Sequence, residues 1–153
     1  MSRVSPRRRA RELALQGLYE HRLGGAAPAT IGGEFADSPH FTDADQAFLA
    51  ALWRGLHTEP DRLVDALRPF LDRSAEEVSP IERSILLIGA WELLHQPETP
   101  YRVVINEAVE LAKSYGGTDG HRFVNGVLDK LAARVRAPEI EAAARERRGG
   151  KPA

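Results

Sequence analysis

The start of the chain is rich in arginine. Residues 1–11 carry no acidic residue and five arginines, at Arg3, Arg7, Arg8, Arg9 and Arg11. A guanidinium group binds phosphate through two parallel hydrogen bonds and stacks on bases. On a helix, positions i, i+1 and i+4 project together, so Arg7, Arg8 and Arg11 are expected to share one face that suits single-stranded RNA. The alternative is a solvated helix end, although cations at a helix N-terminus are mildly unfavourable for the helix itself.

A second group of polar and aromatic residues lies in a glycine-rich junction at 113–123. A predicted helix ends near Lys113 and Tyr115, and another begins a few residues later. The free N–H groups of that second helix, with His121 and Arg122, can hold a phosphate, and Tyr115 or Phe123 offers a ring on which a base can stack. The opposite interpretation is a plain turn with Phe123 in the core, and the spacing alone favours it.

The sequence contains no motif for catalysis. The G-x-S-x-G, P-loop and G-x-G-x-x-G patterns are absent. The lack of cysteine excludes disulfides, thiolate catalysis and Cys-based metal sites. No two of the five histidines have the close spacing of a local zinc site. We therefore expect no enzymatic activity, no cofactor and no metal.

Composition places the chain among single globular domains. It has 153 residues and a formal net charge of −1, so the basic start is attached to an acidic remainder. This asymmetry indicates an anionic partner that is met at one end. The longest uncharged apolar stretch, 85–91, is far too short to span a membrane. No apolar signal segment follows the arginines, and we expect a soluble, cytoplasmic protein.

Helical patterns run through most of the chain. An apolar stripe predicts a first helix over 6–23, and the Gly-, Pro- and Ala-rich stretch 24–41 is expected to be a mobile connection. Thr42 is the expected cap of the second helix. A third helix begins near Pro60 and is kinked or ended by Pro69.

The second half of the chain holds the strongest helix signals. Ser79 followed by Pro80 and Glu82 forms a capping box, and apolar residues on every side of the next helix place it at the centre of the fold. A helix over 101–115 is predicted to end in a left-handed cap at 116–117. Thr118 or Asp119 caps the last long helix, which Pro138 ends or interrupts. Without sustained strand alternation, the chain is predicted to be all-α, with a helical domain at 1–138 and a charged tail at 139–153.

Three segments of the sequence resemble the family of the transcription antitermination factor NusB. They are R-R-R-A-R-E-L-A-L-Q-G-L-Y at 7–19, P-Y-R-V-V-I-N-E-A-V-E-L-A-K-S-Y at 100–115 and H-R-F-V-N-G-V-L-D-K at 121–130. Together the match spans about 7–136, in order and with compatible spacing. The resemblance implies a compact all-α fold of two small packed helix bundles, with about six to seven helices.

The resemblance also implies a binding function without a reaction or a cofactor. Proteins of this family bind the boxA element of nascent ribosomal RNA transcripts together with ribosomal protein S10. The pair joins other Nus factors on RNA polymerase and suppresses premature termination. We therefore expect single-stranded boxA-type RNA, S10 and the antitermination complex as partners.

Residue by residue, the resemblance extends to positions in all three segments. The arginine-rich start corresponds to Arg7, Arg8, Arg9 and Arg11, and Tyr19 matches a tyrosine implicated in RNA or partner binding. Asp119 and Phe123 match positions in the RNA and S10 contact region, and Glu82 matches an acidic position of the S10 surface. Charge and position add three further candidate RNA contacts, Lys113, Arg122 and Lys130.

Two other interpretations remain for comparison. The related domain at the front of some RNA cytosine methyltransferases would require a further domain and a nucleophilic cysteine, which this sequence lacks. A self-associating helical module, such as a homodimer with weak RNA binding, differs from the leading hypothesis in its size in solution with and without RNA.

Overall fold

A computed structural model describes residues 4–149, and every regular element in that range is helical. The eight α-helices are α1 (Pro6–Gly24), α2 (Pro28–Glu34), α3 (Gln46–Thr58), α4 (Pro60–Leu67), α5 (Pro80–His95), α6 (Tyr101–Tyr115), α7 (Gly120–Val135) and α8 (Ala137–Gly149). Short 3₁₀ turns lie at Phe35–Asp37, Arg68–Phe70 and Ala75–Glu77. The all-α prediction is confirmed, with slightly more helices than expected. No helix within 4–149 is both long and apolar enough to cross a membrane.

Helix α1 has clear signals at both ends. The Ser5 hydroxyl oxygen accepts a hydrogen bond from the backbone N–H of Arg8 at 3.1 Å, and Pro6 opens the helix. Gly25 adopts a left-handed conformation, with φ at 72°, and its N–H donates to the carbonyl of His21. Glycine adopts this conformation without steric cost, so the predicted end of α1 is confirmed.

The expectation of a mobile connection at 24–41 is wrong. Helix α2 begins at Pro28, and its Ile31 side chain is buried. Trp53 of α3 donates its indole N–H to the Pro28 carbonyl at 2.9 Å, and the Phe35 ring meets Trp53 edge-on at a centroid distance of 5.0 Å. The tryptophan supplies a partner that local composition does not reveal.

The predicted start of α3 is also wrong. The helix begins at Gln46, where the Asp45 carboxylate accepts from the N–H of Phe48 at 3.0 Å, instead of at Thr42. The Asp45 N–H donates to the Pro6 carbonyl at 2.9 Å, which fixes Asp45 against the start of α1. The prediction for Pro69 is confirmed, because α4 ends at Leu67 and a 3₁₀ turn follows.

Helix α5 lies at the centre of the fold, as its apolar pattern predicts. The Ser79 hydroxyl oxygen accepts from the N–H of Glu82 at 3.3 Å and donates to the Glu82 carboxylate at 2.8 Å. Helix α5 packs on α1 and α3 on one side and on α4, α6 and α7 on the other. It therefore belongs to both small bundles and joins them through one core.

The ends of α6 and α7 differ in detail from the prediction. Gly116 has φ at −89°, so the predicted left-handed cap is wrong, and its N–H simply donates to the Ala112 carbonyl. Asp119 occupies the cap position of α7 without a side-chain capping bond. Helix α8 begins directly after α7, and its Glu139 carboxylate accepts from the N–H of Tyr101 at 2.8 Å.

Candidate nucleic-acid interface

Arg11 belongs to the core of the protein. Its side chain is 3% exposed and that of Glu92, on α5, is 1% exposed. The guanidinium Nε and Nη2 donate to the two Glu92 carboxylate oxygens at 2.8 and 2.7 Å. The expectation that Arg11 shares an exposed face with Arg7 and Arg8 is wrong, because α1 is buried around a wide arc that includes this position.

Arg7 lies partly exposed at the start of α1. Its Nη1 donates to the Thr99 hydroxyl at 3.2 Å, and its Nε lies 3.5 Å from the Asp45 carboxylate. The guanidinium also covers the Phe48 ring at 4.6 Å from the centroid. Arg7 thus lines a groove of about 400 Å³ in which Val103 of α6 is also exposed.

Arg8 and Arg9 point towards α6 and along α1, respectively. Arg8 donates through Nε and Nη2 to the Glu107 carboxylate at 2.8 and 3.2 Å. This hydrogen bond raises the pKa of Arg8 above its ordinary value. Arg9 donates to Glu12 at 3.1 Å. Carboxylate groups therefore lie near all four described arginines of α1, which are Arg7, Arg8, Arg9 and Arg11. The start of α1 is for this reason less positive than its sequence indicates. Arg3 lies outside the described residues.

The end of α6 meets α1 beside these arginines. The Tyr115 hydroxyl donates to the Glu12 carboxylate at 3.5 Å. Burial, and to a smaller extent the Glu12 charge, raise the pKa of Tyr115 above its ordinary value. Tyr19 lies two turns beyond Glu12 on α1 and is 37% exposed. We call this surface the α1–α6 face, which comprises Arg8, Arg9, Glu12, Tyr19, Glu107 and Tyr115.

A second surface surrounds the start of α7. Phe123 is half-buried, and the guanidinium of Arg73 lies 4.7 Å from its ring centroid. Glu82 packs so closely on Gly120 that a Cβ there would lie 3.0 Å from the Glu82 carboxyl carbon. Asp119 is exposed at the adjacent cap position. We call this surface the α7 patch, which comprises Arg73, Glu82, Asp119 and Phe123.

The sequence patterns do not predict Arg73 as a candidate site residue. It lies between two short turns, where its sequence neighbours carry no periodic signal, and Asp72 orients its guanidinium through bonds of 2.7 and 3.2 Å. The Arg73 guanidinium, and more weakly the charge of Lys130, lower the pKa of Asp72. Only the packing of the turn against α7 places Arg73 over an aromatic ring.

The remaining predicted cations are exposed but more widely spread. Lys113 lies 3.6 Å from Glu110 on α6, on the other side of that helix from Tyr115. Arg122 and Lys130 are exposed on α7. Within residues 4–149, no group of three or more metal-binding side chains is arranged to hold a metal ion.

The fold and the site together define a protein class, that of a two-bundle all-α protein with a charged and aromatic surface on its first helix. A family model described as the NusB family matches residues 8–133. The chain belongs to the NusB family, whose members are non-enzymatic transcription factors.

Similar proteins cover nearly the whole chain. The transcription antitermination protein NusB of Azoarcus sp. is 55% identical over 151 residues, covering 98% of this chain and 97% of the relative. That of Laribacter hongkongensis is 50% identical over 149 residues, with 97% and 90% covered. The solved structure of T. maritima NusB superposes with a TM-score of 0.77 at 26% identity. The match covers 91% of this chain and 99% of that chain.

Proposed function

We propose that this protein is a transcription antitermination factor that binds boxA-type RNA of nascent ribosomal RNA transcripts together with ribosomal protein S10. In this proposal it joins other Nus factors on RNA polymerase in the cytoplasm and helps the polymerase to avoid premature termination. The observation that carries the proposal is the α1–α6 face, which presents the partly exposed guanidinium groups of Arg8 and Arg9 and the exposed rings of Tyr19 and Tyr115.

The chemistry of this face suits single-stranded RNA. Arginine binds phosphate oxygens through its planar donor edge, and an exposed aromatic ring lets a base stack. Arg8 and Arg9 are both partly exposed, and Tyr19 and Tyr115 are among the most exposed large apolar residues of the described chain. Lys113, Arg122 and Lys130 would extend the path of the RNA backbone, and Arg7 would contact it at the start of α1.

The α7 patch is the proposed contact surface for S10. It combines two carboxylates, Glu82 and Asp119, with the half-buried ring of Phe123 and the guanidinium of Arg73. Partly exposed aromatic and arginine side chains are enriched at protein interfaces. In this assignment, the Glu82 carboxylate both caps the start of α5 and contacts the partner.

The direct test measures binding of a labelled boxA-type RNA and of a scrambled RNA, with and without purified S10. We expect selective binding that tightens when S10 is added. Equal affinity for both RNAs, unchanged by S10, would refute the proposal, and the size of the protein in solution would then test the self-association hypothesis.

Two sets of variants test the two surfaces separately. Because each phosphate contact contributes about −0.7 to the slope of log affinity against log salt, the double variant Arg8→Ala/Arg9→Ala should flatten the slope by about 1.4. The control is Arg62→Ala/Arg68→Ala, which removes two exposed arginines with carboxylate partners from the region of α4. An unaltered slope in the first variant would remove these arginines from the RNA site.

The α7 patch is tested at its aromatic residue. Phe123→Ala should weaken assembly with S10 and RNA without changing the salt slope, because the substitution removes no charge. Phe70→Ala is the matched control, since Phe70 is also half-buried and has an arginine, Arg134, over its ring. Equal losses in both variants would indicate a general packing defect and contradict the assignment.

A further inference from the structure

Glu107 lies between two arginines of α1. Its carboxylate accepts the Nε and Nη2 donors of Arg8 at 2.8 and 3.2 Å, and one of its oxygens lies 3.9 Å from Nη1 of Arg11. The Glu107 side chain is 17% exposed, whereas that of Arg8 is 36% exposed. In this pair, the guanidinium is therefore more accessible to solvent than the carboxylate.

The charge of Glu107 is directed mainly at Arg8. Arg11 already has a complete partner, because both Glu92 oxygens accept from it at 2.7–2.8 Å. Arg8 has Glu107 as its hydrogen-bonding carboxylate, and that bond raises the pKa of the guanidinium. The donor edge formed by Nε and Nη2, which binds carboxylate or phosphate with the same geometry, is thus occupied in the free protein.

We propose that Glu107 is an affinity-limiting residue of the RNA site, a carboxylate that occupies the phosphate-binding edge of Arg8. This inference rests on the proposed RNA-binding function and goes beyond it. An RNA phosphate that reaches Arg8 must displace Glu107 or approach beside it. Sequence-independent RNA binding arises from such phosphate contacts, so Glu107 lowers the affinity for every RNA. RNA that also gains base contacts, as on Tyr19 and Tyr115, remains bound.

The test compares Glu107→Gln with the wild type for both the boxA-type and the scrambled RNA. The substitution keeps the shape and one acceptor but removes the charge. In the wild type, the attraction between the Arg8 and Glu107 charges opposes displacement of Glu107 by a phosphate. For two unit charges about 4 Å apart in water, this attraction corresponds to roughly fivefold in affinity. We expect both RNAs to bind on the order of fivefold more tightly at low salt.

Two further variants make the result specific to the Arg8 contact. Glu59→Gln is the matched control, because Glu59 also binds an arginine, Arg62 at 3.2 Å, but at the start of α4. In the background Arg8→Ala, Glu107→Gln should give no gain. If Glu107→Gln lowers the melting temperature, Glu107→Asp keeps the charge and withdraws the carboxylate, and it should give a smaller gain in the same direction.

Several outcomes would overturn the inference. These are unchanged or weaker RNA binding by a folded Glu107→Gln variant, an equal gain in Glu59→Gln, or a gain that persists in the Arg8→Ala background. Each of them can occur while the wild type still binds boxA-type RNA selectively, which separates this failure from failure of the proposed function. If neither the wild type nor Glu107→Gln binds RNA, the proposed function and the inference fall together.

Discussion

The ion pair between Arg11 and Glu92 should contribute to the stability of the fold and not to the affinity for RNA. Replacing Arg11 by methionine removes the guanidinium and leaves a carboxylate that is 1% exposed without its charged partner. Breaking a buried pair by removing one partner destabilises a protein by about 3–5 kcal/mol. In a chain of this length, each kcal/mol lowers the melting temperature by about 2–4 °C, so a loss of roughly 10 °C is expected.

A second substitution tests the cause of that loss. In the double variant Arg11→Met/Glu92→Leu, neither charge remains buried, and apolar side chains fill the site. Replacement of whole buried ion pairs by apolar residues is often neutral or stabilising. Most of the lost free energy of unfolding should therefore return. Arg62→Met, which breaks an exposed pair with Glu59, should cost at most about 1 kcal/mol.

Urea unfolding followed by circular dichroism measures these differences, and the salt dependence of RNA binding is measured on the same samples below their melting temperature. Arg11→Met should unfold at a lower urea concentration and keep the salt slope of the wild type. If instead it unfolds like the wild type and its salt slope flattens by about 0.7, Arg11 reaches phosphate and the burial argument is refuted.

Two further perturbations probe packing and pH. Gly55→Ala should destabilise the fold by about 1–3 kcal/mol in urea unfolding, because the added Cβ would overlap the Trp91 indole. Gly126→Ala, on an exposed part of α7, should instead stabilise the fold by up to about 1 kcal/mol. Equal effects of the two substitutions would refute the packing argument. Burial lowers the pKa of His57 from its ordinary value of 6.5, so the unfolded chain binds the proton more readily and stability should fall as pH drops below about 6.5. A pH series of urea midpoints should show a smaller fall in His57→Gln, and an identical fall would contradict this role.

Local signals in the sequence predict most helices correctly. Helix α5 illustrates the strength of such signals, because Ser79 and Glu82 form a reciprocal cap and apolar residues surround the helix. The stretch 24–41 shows their limit. Helix α2 in this stretch depends on Trp53 of α3, whose indole N–H donates to the Pro28 carbonyl. No local sequence pattern predicts this contact.

The candidate site could be predicted only in part. The arginines of α1 and the junction at 113–123 have suitable side chains, but only the fold brings Tyr115, at the end of α6, to Glu12 of α1. The carboxylate partners of Arg8 and Arg11 are equally hidden, because Glu107 and Glu92 lie more than eighty residues away in the chain. The prediction that Arg11 is exposed is wrong for that reason, since a buried arginine and an exposed one cannot be distinguished from the sequence alone.

The junction of α7 and α8 has a consequence for how the chain folds during synthesis. Arg136 donates to the carbonyls of Glu92, Leu93, Gln96 and Thr99, and Glu139 binds both Arg136 and the Tyr101 N–H. These bonds satisfy the backbone at the end of α5 and the start of α6. Because a chain leaves the ribosome from its N-terminus, the end of α5 and the start of α6 obtain these partners only after α7 has been made. The hydrogen bonding at the connection between α5 and α6 is therefore completed by residues that are made later than both helices.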